Sequence, residues 1–353
     1  MRIAIIGTSN SVMTHGWANA LRKIVPEHWE IENFSLGASP SLYGSFIIPR
    51  ENVAENFDFA LLDFTVNDQQ FLDISNLSRD YLAASYAGLL RHFATEDARC
   101  TPICLFLPQK AFALEGKATD AYSICTGICE HYDIEYIDAF AMVQRLVQTG
   151  IGVDEIFADW GHLTPEYQIV MAEKVLEFLC NAIRKKPRRE ILVEAPIITA
   201  VPRSDIEYFN GEVRTIGTSF AKHEVTTLRE GGGGIINSSP FLLAIVHWID
   251  EASGPVCFKG SDTKVSKALR KEWKRLFALT HFRKPVRSEG SIPFEFGEKQ
   301  GYLLERGFGL AKTTQIAGDV ADIVGFLKSD VDPLAQGRML LEALAAAREP
   351  ALV

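Results

Sequence analysis

Apolar positions along this chain follow two different rhythms. Over roughly the first half, short continuous apolar runs alternate with stretches in which apolar residues return every three or four positions. The runs Arg2–Ile6, Trp29–Phe34, Phe59–Phe64, Pro102–Leu107 and Glu135–Ile137 predict strands. Several of them lack polar alternation, as expected for a parallel sheet covered on both faces. Val12–Val25, Leu77–Phe93, Asp120–His131 and Phe140–Gln148 predict helices between them. A longer helix, Pro165–Arg184, opens with Thr164 as N-cap, Pro165 at the first helical position and Glu166 in the first turn. Alternating β and α elements with short connections predict a three-layer α/β/α unit built on a parallel sheet with right-handed crossovers.

The rhythm changes after RKKPRRE, Arg184 to Glu190, a basic, proline-broken stretch that reads as a boundary. Beyond it come short segments rich in Val and Ile, such as GEVRTIG, LLAIVHWI and GPVCFKG, punctuated by Gly, Pro, Asn and Ser. They predict a smaller β-rich domain. One interruption is expected: Val265, Leu269, Trp273, Leu276 and Phe277 recur at helical spacing, so Lys264–Leu279 reads as a helix. Its other positions, Lys267, Arg270, Lys271, Lys274 and Arg275, form a solvated face or, alternatively, a basic surface for a glycan or membrane. Gly231–Gly234 reads as a short flexible loop, because no strand-to-helix context or Gly-Lys-Ser/Thr accompanies it. The chain closes on an alanine- and leucine-rich helix, Pro333 to Arg348. The expected organisation is an α/β domain at 1–185, a β-rich accessory domain at 190–330 and a helical tail at 331–353.

Charge sharpens the division. The net charge is -9, but residues 1–183 hold 11 Lys+Arg against 24 Asp+Glu, a net of -13, which leaves +4 for the remainder. An acidic first half argues against nucleic acid as its partner. Only four clearly apolar residues lie between Arg2 and Gly7, too few for a secretory h-region, and no run approaches the roughly 18 residues of a membrane helix. The six cysteines, Cys100, Cys104, Cys125, Cys129, Cys180 and Cys257, are scattered in mostly apolar contexts. Reduced thiols in a cytoplasmic protein are the expectation. Cys125 and Cys129 sit four apart with no second ligand pair, and His15, His223, His247 and His281 show no metal spacing, so neither a metal nor a cofactor is expected. A homo-oligomer is compatible with these features.

In an open parallel sheet, ligands bind at the carboxyl ends of the strands. Gly7-Thr8-Ser9-Asn10-Ser11 comes after the first predicted strand, Ser35-Leu36-Gly37-Ala38-Ser39 after the second, and Thr65-Val66-Asn67-Asp68 after the third. Asp159-Trp160-Gly161-His162 lies just before the long helix. These segments supply hydroxyls, a backbone N–H at a glycine, a side-chain amide and an Asp/His pair, which are the parts for acyl transfer. A serine becomes a competent nucleophile when an imidazole accepts its proton, and a carboxylate can fix the tautomer of that imidazole. Ser9 and Ser11 are both candidates for that nucleophile.

These four blocks, over residues 1–183, resemble the SGNH or GDSL hydrolases in order and spacing. Gly7-Thr8-Ser9-Asn10-Ser11 is similar to the family's Gly-Asp-Ser block, Gly37 to its second-block glycine, Thr65-Val66-Asn67-Asp68 to its Gly-x-Asn-Asp block and Asp159-Trp160-Gly161-His162 to its Asp-x-x-His block. The resemblance implies a flavodoxin-like three-layer fold with Ser9 as nucleophile, His162 as base and Asp159 as its orienter. It also implies an oxyanion hole from the N–H groups of Ser9 and Gly37 and the Asn67 amide. Asp68 and Trp160 are expected to line the pocket. Thr8 stands where the family has Asp and Thr65 where it has Gly, and neither position belongs to the triad or the oxyanion hole.

The implied activity is a serine esterase removing a small acyl group, expected to be acetyl, from a carbohydrate. The sugar rests on the family's habits and on an appended β-rich module of the kind that often binds glycans. Two alternatives remain open. One is an acyltransferase that modifies bacterial polysaccharide; the other is an inactive glycan-binding or scaffold protein on the same fold. The expected partner is a small-molecule or glycan ester, without nucleic acid or an integral membrane segment.

Overall fold

The structure, a computed structural model, describes residues 1–74, 77–182, 192, 194–218, 222–237, 240–269, 276–306 and 318–348. The chain divides into two compact units. One takes Met1–Asp73, Leu77–Pro196 and the chain from Leu334 onward, and the other is built by Ile197–Pro333. No helix among the described residues is long and apolar enough to cross a membrane. The RKKPRRE stretch, Arg184 to Glu190, lies outside the described residues.

The first unit is an α/β fold around a five-stranded sheet. Its strands are β1 (Arg2–Gly7), β2 (Glu30–Asn33), β3 (Phe59–Asp63), β4 (Thr101–Leu105) and β5 (Glu135–Ile137), in the order β2-β1-β3-β4-β5. Every pairing is parallel. This is the flavodoxin-like order, and the order reverses between β1 and β3, where such sheets open a crevice at their carboxyl ends. The apolar runs are explained by burial: Ile3, Ile5, Leu61, Ile103 and Leu105 pack against Trp17, Leu21, Val143, Met171 and Val175. On β1 the residues between them, Ala4 and Ile6, are also buried. A strand covered on both faces needs no polar alternation.

The long helix forms at Pro165–Asn181. The stretch expected as one helix over Val12–Val25 is instead two, Ser9–Val12 and Trp17–Ile24. The break falls at Gly16, where a Cβ would overlap the backbone oxygen of Asn10. The short helix folds back tightly enough that only glycine fits, and this closeness leaves no trace in hydrophobic periodicity.

The second unit is β-rich. Among the described residues its ten strands are β6 (Ile198–Ala200), β7 (Ile206–Gly217), β8 (Lys222–Asn237), β9 (Phe241–Ile249), β10 (Val256–Lys259), β11 (Lys264–Ala268), β12 (Leu276–Arg287), β13 (Ser291–Phe296), β14 (Leu303–Arg306) and β15 (Ala321–Ser329). The main path runs β12-β9-β15-β8-β13-β10-β11-β14, with β6 on β15 and β7 on β8. Its core gathers Phe258, Phe282, Phe294 and Phe326, whose rings meet at 5–6 Å in edge-on, tilted and stacked pairs. Two expectations are corrected here. Lys264–Leu279 is not a helix: its described parts are β11 and the start of β12, with residues 270–275 outside the description. Lys267, assigned by its spacing to a solvated face, is buried and bonded to the Glu305 carboxylate at 2.9 Å, directly across the β11–β14 pairing. The partner that makes its burial tolerable lies 38 residues away, beyond the reach of any local pattern. Gly231–Gly234 is likewise part of β8 rather than a flexible loop, because Cβ atoms on Gly233 and Gly234 would overlap backbone oxygens of Phe294 and Glu207.

The C-terminal helix Pro333–Arg348 belongs to the first unit. Gly337 is where it meets helix Arg79–Arg91, since a Cβ there would overlap the Asp80 backbone oxygen. An interior helical Gly→Ala change ordinarily stabilises by about 1 kcal/mol. Gly337→Ala is expected to do the opposite, lowering unfolding free energy by about 1–3 kcal/mol through overpacking. Urea unfolding of the whole chain reads the sign directly, and a gain in stability would refute this close approach.

Candidate active site

The residues singled out from the sequence gather at the carboxyl edge of the parallel sheet. β1 ends at Gly7, Thr8 is extended (φ -111°, ψ -153°), and the four-residue helix starts at Ser9. The base arrives from the opposite end of the unit. Phe157 and Leu163 form an isolated bridge, and the Ala158 N–H bonds to the His162 carbonyl at 2.9 Å, pinching Asp159–His162 into a tight loop. The Asp159 carboxylate organises that loop from inside. Its Oδ1 accepts the N–H groups of Gly161 and His162, both at 2.9 Å.

Three side chains form a continuous relay. Ser9 Oγ lies 2.7 Å from His162 Nε2, and His162 Nδ1 lies 2.7 Å from Asp159 Oδ2 and 2.9 Å from Oδ1. An Nδ1–H donated to Asp159 leaves Nε2 free to accept the serine proton. Burial alone would raise the Asp159 pKa. The hydrogen bonds from the Gly161 N–H, the His162 ring and the His162 N–H outweigh it and hold the carboxyl below its ordinary value. Asp159 therefore carries the negative charge that an imidazolium needs beside it.

The expected oxyanion donors sit on the neighbouring loops. The Leu36 N–H bonds to the Gly7 carbonyl at 3.0 Å, which ties the Gly37 loop to the end of β1. Gly37 lies over Val12 of the Ser9 helix, and Ala38 beside it adopts a left-handed φ of 56°. Asn67 occupies the first turn of helix Thr65–Ile74, and its neighbour Val66 packs against Gly161. Among the described residues, the N–H groups of Ser9 and Gly37 and the Asn67 side-chain amide have no hydrogen-bond acceptor. Donors left open in this way are available to an incoming oxyanion.

Trp160 is 45% exposed, with its ring centroid 6.3 Å from that of His162. Asp68 departs from expectation. It is fully buried rather than lining an open pocket, and its Oδ1 accepts the Ser41 N–H at 2.8 Å. Ser11 is also buried and donates to Asp63 Oδ2 at 2.7 Å, so it anchors the loop and is turned to a carboxylate rather than to the His162 imidazole. Asp63, at the end of β3, is a residue that sequence reasoning misses. It also receives the Trp17 indole N–H at 3.3 Å. An acidic residue closing an otherwise apolar run at a sheet's carboxyl edge is the available signal.

Asn10 and Gln168 escape sequence reasoning as well. Asn10 Nδ2 donates to the Gly161 carbonyl at 3.0 Å and Asn10 Oδ1 accepts from Gln168 Nε2 at 3.2 Å. In the second unit, His247 bonds Thr280 Oγ1 at 2.9 Å and the His223 ring meets Phe277 edge-on at 4.4 Å, while His15 is exposed in the first. Among the described residues no group of three or more His, Cys, Asp or Glu is placed to hold a metal ion.

No family model matches the chain, and no curated protein matches it. Solved structures do. A two-domain esterase active on acetylated mannans, co-crystallised with mannopentaose, aligns with a TM-score of 0.65 at 14% identity, covering 93% of this chain and 90% of that one. A further structure of a two-domain esterase active on acetylated mannans aligns with a TM-score of 0.64 at 13% identity, covering 93% and 91%. The chain shares the fold of these two structures, an α/β unit on a parallel sheet together with a β-rich unit.

The buried carboxylates make stability depend on pH. Burial pushes Asp63 up to about 6 and Asp68 to about 7, against 3.8 for the free group. Each native carboxyl therefore binds protons more tightly than its unfolded counterpart between pH 4 and pH 6–7. Unfolding releases protons in that window, so stability falls as pH rises and levels off above pH 7. Asp68→Asn keeps an oxygen for the Ser41 N–H and removes the titration. Urea unfolding from pH 4.5 to 8 is expected to show a shallower decline for Asp68→Asn than for the wild type, and equal slopes would contradict the assignment.

Proposed function

We propose that the chain is a serine esterase that hydrolyses a small O-acyl ester, acetyl in the simplest case, on a carbohydrate. The carrying observation is the unbroken relay from Ser9 Oγ through His162 to Asp159. In this reading His162 Nε2 takes the proton of Ser9 as Oγ attacks the ester carbonyl. The developing oxyanion is held by the N–H groups of Ser9 and Gly37 and the Asn67 amide. His162 then gives its proton to the leaving sugar hydroxyl, leaving an acyl-Ser9 intermediate. A water molecule deprotonated by the same imidazole attacks that intermediate, releasing the carboxylic acid and restoring the serine. Thr8 and Thr65, the departures from the family's pattern, touch none of these steps. The intact relay favours an enzyme over an inactive scaffold.

The carbohydrate part of the reading draws support from two sources. The mannan-active esterases share the fold over most of this chain. Trp160 also offers an exposed aromatic face beside His162, the kind of surface on which the apolar face of a sugar ring rests.

With p-nitrophenyl acetate, Ser9→Ala is expected to lower kcat by more than about 10³-fold. Asn67→Ala is expected to lower it by about 10²- to 10³-fold, the usual loss for one oxyanion donor. Equal rates for Ser9→Ala and wild type would remove the triad assignment. Trp160→Ala is expected to raise KM for an acetylated oligosaccharide several-fold while leaving KM for p-nitrophenyl acetate nearly unchanged. Parallel changes for both substrates would count against a sugar-stacking role.

A further inference from the structure

Ser9 and His162 are 153 residues apart in the chain, and their segments are anchored separately, the first by Ser11 on Asp63 and the second by the Lys110 N–H on the Trp160 carbonyl. Asp159 fixes the base loop internally. The nucleophile helix is four residues long, with no side-chain cap at Thr8. Nothing in either loop by itself sets the distance from Oγ to Nε2.

Two buried amides span the gap. Asn10, the residue after the nucleophile, donates through Nδ2 to the carbonyl of Gly161, the residue before the base, at 3.0 Å. Its Oδ1 accepts from Gln168 Nε2 at 3.2 Å, and Gln168 Nε2 also reaches the carbonyl of Leu163, the residue after the base, at 3.4 Å. Gln168 Oε1 in turn accepts the N–H of Trp17, the first residue of the next helix, at 2.9 Å. Asn10 is fully buried and Gln168 is 1% exposed. Every nitrogen and oxygen of the two amides has a partner, so neither group can rotate without stranding a buried polar atom.

We propose that Asn10 and Gln168 form a positioning clamp that locks the nucleophile loop to the base loop and thereby sets the Ser9–His162 hydrogen bond. This deepens the esterase reading and rests on it. The clamp grips the chain on both sides of His162, at Gly161 and Leu163, and after Ser9, at Asn10 and Trp17, without touching either reacting atom. Its loss leaves the Asp159–His162 pair intact, because that pair is held within its own loop, and separates it from Ser9. Displacements of about 1 Å between reacting groups cost on the order of 10²-fold in rate.

The test uses the full chain and the rate at which a fluorophosphonate probe labels Ser9, a readout that needs no knowledge of the natural substrate. Alongside it, proton NMR follows the downfield Nδ1–H resonance of His162 shared with Asp159. Asn10→Ala is expected to slow labelling about 10²-fold while this resonance persists and the melting temperature stays well above the assay temperature. Gln168→Leu is expected to slow labelling as well, and the double variant to be no slower than Asn10→Ala, since both changes open one clamp. If Asn10→Ala does not fold, Gln168→Leu carries the same comparison. Labelling at the wild-type rate, losses that multiply in the double variant, or disappearance of the resonance together with the reactivity would each overturn the clamp. A wild type that takes up no probe, or a Ser9→Ala chain still labelled, would instead bring down the esterase reading beneath it.

Discussion

The hydrogen bond of 2.7 Å between Ser9 and His162 closes a loop of more than 150 residues, and the first unit is organised so that it can close. A parallel sheet is the physical means. Because β1 to β5 all point the same way, the segments leaving their carboxyl ends emerge at one edge. The order reversal between β1 and β3 opens the crevice there. Ser9 comes just after β1, Gly37 lies beyond β2, Asn67 comes just after β3 and His162 precedes the long helix. The sheet converts distance along the chain into proximity in space, and the apolar core that holds the sheet thereby holds the site.

Around that hydrogen bond, polarity is distributed by what each atom can find as a partner. Asp159 is half exposed, yet hydrogen bonds keep it ionised where a charge is useful. Asp63 and Asp68, buried within the same unit, face the reverse balance, because burial dominates and raises them. Their roles are correspondingly structural: one receives Ser11 and Trp17, the other the Ser41 N–H. Three carboxylates of the same chemistry are separated into different protonation regimes by solvent access and donor count.

The second unit obeys the same rule with other materials. Its aromatic core is apolar throughout, but the Lys267–Glu305 pair is buried across adjacent strands of the same unit. A lysine side chain is an unfavourable occupant of such a position unless its partner is in place. That pairing is a property of the β11–β14 register, and the periodicity of Lys264–Leu279 could only suggest a helix because it cannot see a neighbour from another strand.

Much of the first unit was legible in the order of residues. Continuous apolar runs mean strands buried on both faces, Thr164-Pro165 marks a helix start, and a hydroxyl, an amide and an Asp/His pair on segments that the sheet carries to one edge mark a candidate site. Such features are local, or repeat with the period of the element that carries them. The order of residues left undecided the contacts that depend on two distant segments meeting. The break at Gly16, the burial of Asp68, the anchoring of Ser11 by Asp63 and the bridge from Asn10 to Gln168 all arise from close approach. An asparagine beside a serine looks like any turn residue until tertiary structure sets a glycine carbonyl and a glutamine amide 3.0 and 3.2 Å away. The sequence by itself determined the chemistry available at the edge. Only the packed structure decided which hydroxyl faces the imidazole, because that choice is a matter of a few ångströms set by buried partners rather than by composition or period.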